Sequence, residues 1–168
     1  VRRDGTLVAR QATIVFDTGG YSGATGPTAN TVGARSALGP YRLPHLKVET
    51  FSVYTNNRNC GSYRASGASH ATFASESQLD LIASRLGVDP LELRLRNGIK
   101  NGDTSNTGSS YQGIDMQRML REAAEKIRWQ APRQAYEGVG LACAEWGSAG
   151  RGSAAVVKLN EDGTVGVL

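Results

Sequence analysis

Residues 51–76 oblige the chain to change backbone geometry twice within a short span. Phe51-Ser52-Val53-Tyr54 is a β-type run. It breaks into a turn-rich loop holding Asn56, Asn57, Asn59 and Gly61. A helical pattern opens at Ala68 and runs through Phe73 and Glu76. Between them a single arginine, Arg64, stands among small residues: Ala65, Ser66 and Gly67. A loop that joins strand to helix brings backbone N–H groups and one cation to a helix N-terminus, which suits an anion or a polar cofactor. The same spacing also fits an ordinary connection whose arginine bridges loop carbonyls.

The remaining pattern predicts an α+β chain. Residues 6–18 alternate as a strand, with Val8, Arg10, Ala12, Ile14 and Phe16 forming the more apolar side. Asp4-Gly5 before it is a hairpin-type turn. Residues 19–27 are glycine-rich and predict a loop, 28–38 a short helix ending at Gly39-Pro40, and 45–55 a second strand. Phe73, Leu79, Ile82 and Leu86 place a helix over 68–86, stopped by Gly87. Asp89 caps a following helix that has Pro90 at its first position and ends near Asn97-Gly98. Met116, Met119, Leu120, Ala123 and Ile127 predict the core face of a helix over 115–128, capped by Asp115 and braced by a Glu122–Lys126 pair. Residues 101–113 predict a surface loop and 130–137 a linker. Val139–Trp146, Ser153–Leu159 and Thr164–Leu168 predict strands, the last two joined by the turn at Asn160-Glu161-Asp162-Gly163.

Composition removes several function classes. Hydrophobic residues make up 39% and charged residues 20% of 168, the balance of a globular chain with a core of its own. No apolar run is long enough to span a bilayer. The net charge of +4 is dispersed, whereas nucleic-acid binding needs clustered cations and stacking aromatics. Cys60 and Cys143 lie far apart without CxxC spacing, so no zinc or iron–sulfur site is expected from this chain, and a reducing, cytoplasmic setting is. The chain opens Val1-Arg2-Arg3 without a leader and stops at Val165-Gly166-Val167-Leu168 in a strand-like pattern, so both ends are expected to continue in a longer polypeptide.

Individual residues admit plain readings. His45 and His70 have no partners at metal-ligand spacing. Glu76 and Asp80 share a helix face as a carboxylate pair would, or serve the fold. The two methionines read as core filling, and Trp129 and Trp146 as packing residues.

Several segments in order resemble one family. They are Thr55-Asn56, Ser62-Tyr63-Arg64-Ala65-Ser66-Gly67, Phe73-Ala74-Ser75-Glu76, Leu79-Asp80-Leu81-Ile82-Ala83, Leu86-Gly87-Val88-Asp89-Pro90-Leu91-Glu92-Leu93-Arg94, and Asn97. The chain is similar to the large, molybdopterin-binding subunit of the molybdenum hydroxylases, which include xanthine dehydrogenase, aldehyde oxidase, nicotinate dehydrogenase and aerobic carbon monoxide dehydrogenase. That pattern runs Thr-Asn, aromatic-Arg-Gly-x-Gly, a helix with Glu and Asp-x-Ile-Ala, then Gly-x-Asp-Pro-x-Glu-x-Arg-x-x-Asn. Asp17-Thr18-Gly19-Gly20-Tyr21 and Gly39-Pro40-Tyr41-Arg42-Leu43-Pro44 agree more weakly.

The resemblance implies residues 1–130 as the C-terminal part of a first molybdopterin-binding domain and 131–168 as the start of a second. It implies oxidative hydroxylation of an aldehyde or N-heterocycle with water-derived oxygen, at molybdopterin or its cytosine dinucleotide, with iron–sulfur and FAD partners. The base glutamate, a Gln-bearing glycine motif and a Gly-Gly-x-Phe-Gly segment fall outside these residues, so no catalytic residue and no bound cofactor are expected on the chain alone. Tyr63, Arg64 and Ala65 are implied to lie against the cofactor, Arg64 beside the metal without ligating it, and Ser66 and Gly67 against substrate. Ala65 stands where carbon monoxide dehydrogenases have a cysteine, which removes a copper–sulfur–molybdenum centre. Ser66 stands where xanthine oxidases stack a phenylalanine on the purine. Arg35 lies near, but not at, the offset of a second substrate arginine. A degenerate, non-catalytic domain acting as a structural or assembly module is the alternative.

Overall fold

The alternation over residues 6–18 becomes strand β1, Ala9–Gly19, and the run before the Arg64 loop becomes β2, His45–Tyr54. The computed structural model describes residues 1–21, 26–105, 108–146 and 155–167. β1 and β2 pair in parallel, from Ala9 beside His45 to Asp17 beside Val53, and the register slips between Asp17 and Gly19. Parallel neighbours need a crossover, and helix α1, Gly26–Ser36, lies in it. The expected loop over 19–27 is thus shorter: Gly26 and Pro27 belong to the helix, where proline in a first turn loses no hydrogen bond, and 22–25 lie outside the described residues. Arg10, Ala12, Ile14, Phe16 and Thr18 turn inward as the alternation predicts. Arg10 is buried there because its guanidinium donates to the carbonyls of Ala37 and Leu38, at 2.8 and 3.1 Å.

Three helices follow: α2, Ala68–Leu86; α3, Pro90–Asn97; and α4, Met116–Lys126. Local signals set their ends. Gly87 closes α2 at φ 65°, a conformation that costs glycine little. The Asp89 carboxylate accepts from the amides of Leu91 and Glu92 and from the indole of Trp129. Leu7, Tyr41, Leu79, Ala83, Leu93, Ile99, Met116 and Leu120 form the core that these helices share with the N-terminal arm. Asn97 brackets that arm: its side chain accepts from Leu7 N at 2.8 Å and donates to Gly5 O at 2.9 Å.

The centre of this half is an ion pair. Arg94 is wholly buried and Glu76 only 4% exposed. Arg94 Nε donates to Glu76 Oε2 at 3.0 Å, and its Nη1 meets Asp80 at 2.8 Å. Tyr41 Oη and the Cys143 amide also donate to the Glu76 carboxylate, each at 2.8 Å. Burial is the largest influence on Arg94 and opposes its charge, but Glu76, Tyr41 and Asp80 together outweigh it and raise the guanidinium pKa. The Glu76–Asp80 pair is therefore one clamp on Arg94, not an acid–base dyad.

Five expectations fail. Met119 is 63% exposed, because the buried stripe of α4 runs through Met116, Leu120 and Ala124. Glu122 pairs with Arg118 at 3.7 Å, not with Lys126. Phe73 is 76% exposed and Trp146 65%, so neither packs into the core. Among the described residues Val139–Trp146 joins no strand. Its alternation is real, with Leu141, Cys143 and Glu145 turned inward, but it lies extended along the helices and ties down through the Cys143 amide and the Tyr111–Glu145 hydrogen bond. A short antiparallel hairpin lies last in the chain order, β3 at Val157–Leu159 and β4 at Val165–Val167. The expected strand residues Ser153, Ala154 and Leu168 lie outside the described residues. Val15, Phe51, Val53 and Tyr54 remain exposed on the β1–β2 ribbon.

Leu120→Ala is expected to cost about 2–5 kcal/mol in urea denaturation, and Met119→Ala less than about 0.5 kcal/mol. Equal losses would mean that the buried face of α4 is misassigned. Glu76→Ala leaves Arg94 buried without its partner and is expected to cost about 3–5 kcal/mol. A loss under about 1 kcal/mol, the range of exposed pairs, would show that the clamp is dispensable.

Candidate functional site

The loop 55–67 leaves the C-terminal end of β2 and feeds the N-terminus of α2, and both of its ends are clamped. At the start, Asp17 accepts from Gly19 N at 2.8 Å and from Thr55 Oγ1 at 2.6 Å, and also from the Asn57 side-chain amide. These bonds hold the Asp17 carboxyl below the usual carboxylate range, Thr55 contributing most. Backbone bonds add to the seam: Thr55 N to Gly19 O at 3.1 Å, Gly20 N to Asn57 O at 2.9 Å, and Cys60 N to Thr18 O at 3.2 Å. At the far end Gly67 takes φ 73°, and a Cβ there would stand 2.3 Å from the Ala29 carbonyl oxygen. Only glycine lets the loop approach α1 this closely.

Beneath the loop lies a cavity of about 630 Å³, lined among others by Phe16, Asp17, Cys60, Arg64, Ser66 and His70. Its size falls within the range of small-molecule sites, roughly 300–1,000 Å³. It opens at the carboxyl end of parallel strands, where ligands of open α/β sheets bind. Tyr63, Arg64, Ser66 and Gly67 all line it. Arg64 is exposed, its guanidinium 5.8 Å from the Tyr63 ring centroid. It forms no ion pair among the described residues. Ala65 is in the left-handed region at φ 51°, which for alanine is strained by about 1–2 kcal/mol. Ser62 and Ser66 are hydrogen-bonded to each other through their hydroxyls. Gly67 offers no side chain to cap α2, so the first turn enters the cavity wall without a side-chain acceptor. A guanidinium, serine hydroxyls and an uncapped helix N-terminus together offer donors to anionic oxygens.

Sequence reasoning alone does not pick out Asp17 or His70 as site residues, yet both line this cavity. Asp17 does carry a signal: Asp-Thr-Gly at a strand end is an Asx-turn pattern, and its Gly19 bond is that turn. Arg35 lies elsewhere, exposed at the end of α1 beside a small cavity of about 90 Å³ with Glu145 and Trp146. Cys60 is exposed and Cys143 partly buried; neither is in a disulfide. Among the described residues no three His, Cys, Asp or Glu side chains cluster to hold a metal, and no helix is long and apolar enough to cross a membrane.

Residues 1–98 match the molybdopterin cofactor-binding domain family. The chain belongs to this family of molybdenum hydroxylase large subunits. It is 33% identical to the aldehyde oxidoreductase of Megalodesulfovibrio gigas, over 99% of this chain and 19% of that protein. It is 30% identical to the xanthine dehydrogenase molybdenum-binding subunit of Escherichia coli O157:H7, over 99% of this chain and 24% of that protein. The solved aldehyde oxidoreductase from Desulfovibrio gigas superimposes with a TM-score of 0.77 at 32% identity, covering 99% of this chain and 19% of that one. The chain thus spans about a quarter or less of the length of these relatives.

Gly67→Ala is expected to cost at least about 2 kcal/mol, combining the left-handed backbone with the Ala29 clash. Thermal denaturation measures it, and an unshifted midpoint would mean that the loop is not seated on α1.

Proposed function

We propose that the chain forms part of the catalytic molybdopterin-binding subunit of a molybdenum hydroxylase that hydroxylates an aldehyde or N-heterocycle with water-derived oxygen. The observation that carries this reading is the Arg64 loop, a guanidinium with no ion pair among the described residues and with small neighbours, over a cavity of about 630 Å³. The residues present fit the group: Arg64 and the first turn of α2 supply donors, and Ser66 and Gly67 on the cavity wall, next to Ala65, leave room for a bulky cofactor beside the backbone. Bound there, the molybdenum–pterin group, as molybdopterin or its cytosine dinucleotide, supplies the two-electron oxidation of substrate. Tyr63, Arg64 and Ala65 hold the cofactor, and Ser66 and Gly67 face substrate. Arg64 orients anionic oxygens near the metal through its planar fork. Ser66 offers no aromatic face for a purine, and no thiol stands at Ala65 to bridge a copper ion.

In this reading residues 1–130 close the first molybdopterin-binding domain and 131–168 begin the second. Iron–sulfur and FAD subunits or domains take the electrons, in the cytoplasm. The chain by itself carries no molybdenum, since most of the cradle comes from the rest of the subunit.

In the full subunit, Arg64→Ala is expected to lower turnover on the order of a hundredfold or more, while molybdenum content and melting temperature hold. Arg64→Lys is expected to recover only part, lacking the fork. Wild-type turnover in a fully loaded Arg64→Ala enzyme would reduce the loop to a structural element.

A further inference from the structure

Asp17 is the only acid among the described residues lining the Arg64 cavity, and its carboxylate faces the start of the loop. Three donors from separate chain positions converge on it: the Gly19 amide, the Thr55 hydroxyl and the Asn57 side-chain amide. Such a meeting point needs a group that only accepts, and an ionised carboxylate is one. Because Asp17 is exposed, these bonds add little to global stability. What they set is position. They lock residues 55–57 onto the end of β1, and the Cys60 amide follows by donating to Thr18 O. From residue 61 to 64 no backbone hydrogen bond holds the chain among the described residues, and the Ser62–Ser66 hydroxyl bond ties the loop only to itself. The next fixed point is Gly67 against Ala29. Arg64 therefore hangs between two anchors, and Asp17 governs the first.

We propose, on the basis of the function proposed above, that Asp17 is a positioning residue: it places Arg64 over the cavity by tying Thr55 and Asn57 to the end of β1. The test is a double-mutant cycle in the full subunit with Asp17→Ala and Arg64→Ala, read as kcat and KM at matched molybdenum content. A displacement near 1 Å at a reacting group is worth about a hundredfold in rate, so Asp17→Ala is expected to lower kcat by about that factor. In the Arg64→Ala background the same change is expected to cost less than about twofold, because coupled residues are not additive. Asp17→Asn keeps one acceptor oxygen and is expected to fall between; it gives the same reading if the alanine variant fails to fold. Equal losses in both backgrounds, or an unchanged kcat, would overturn the proposal. Wild-type turnover in Arg64→Ala alone would instead sink the site reading. A crystal structure of Asp17→Asn or Asp17→Ala then decides the positioning claim by itself: a displaced Arg64 supports it, and an unmoved one refutes it.

Discussion

The buried contact between Glu76 and Arg94 organises the molecule. An uncompensated charge in that interior would cost several kcal/mol, so the surrounding chain is arranged to satisfy both groups. Glu76 takes donors from Tyr41, Arg94 and the Cys143 amide; Arg94 reaches Glu76, Asp80 and the Pro90 carbonyl. The pair thereby fastens α2 to α3, to the turn after α1 and to the extended segment 139–146. It also explains why Tyr41 stays protonated: burial and the neighbouring Cys143 and Glu76 raise its hydroxyl pKa, so it serves as a donor. The site depends on this indirectly, because α2 is both the clamp's carrier and the floor of the Arg64 loop.

Much of the helical half was legible in the residues. Gly87, Asp89-Pro90 and Asp115 are short-range signals whose partners lie within a few positions, and each ends or begins a helix as expected. Met119 and Phe73 misled because apolar spacing allows a wider face than the one the neighbouring helices cover. The segment 139–146 alternates truly, but alternation reports one buried side and says nothing about a hydrogen-bonded partner. Parallel pairing of β1 and β2 was out of reach for the same reason: the partner of a strand is a tertiary fact.

The candidate site divides similarly. Arg64 stood out because a strand, a turn-rich loop and a helix start are local patterns. Asp17 did not, because its partners Thr55 and Asn57 lie 38 and 40 positions away. The acid spacing of Glu76 and Asp80 was visible, but its meaning rested on an arginine 18 positions from Glu76. Glu76, Arg94 and Asn97, all within the stretch that resembles the family, turn out to hold the scaffold, while the cavity is lined by the loop, by β1 and by the first turn of α2, with Ala29 of α1.

The two-stranded ribbon sets the thermal tolerance of the site. The helices share a core of their own, whereas β1 and β2 expose Val15, Phe51, Val53 and Tyr54 and, among the described residues, pair only with each other. Such a ribbon opens at a smaller free-energy cost than a helical core. The loop with Arg64 is slung between the two, one end on the ribbon and the other on α2. On warming, the slung loop is expected to slacken while the helices still hold, which gives the geometry of the site a lower ceiling temperature than the fold that carries it.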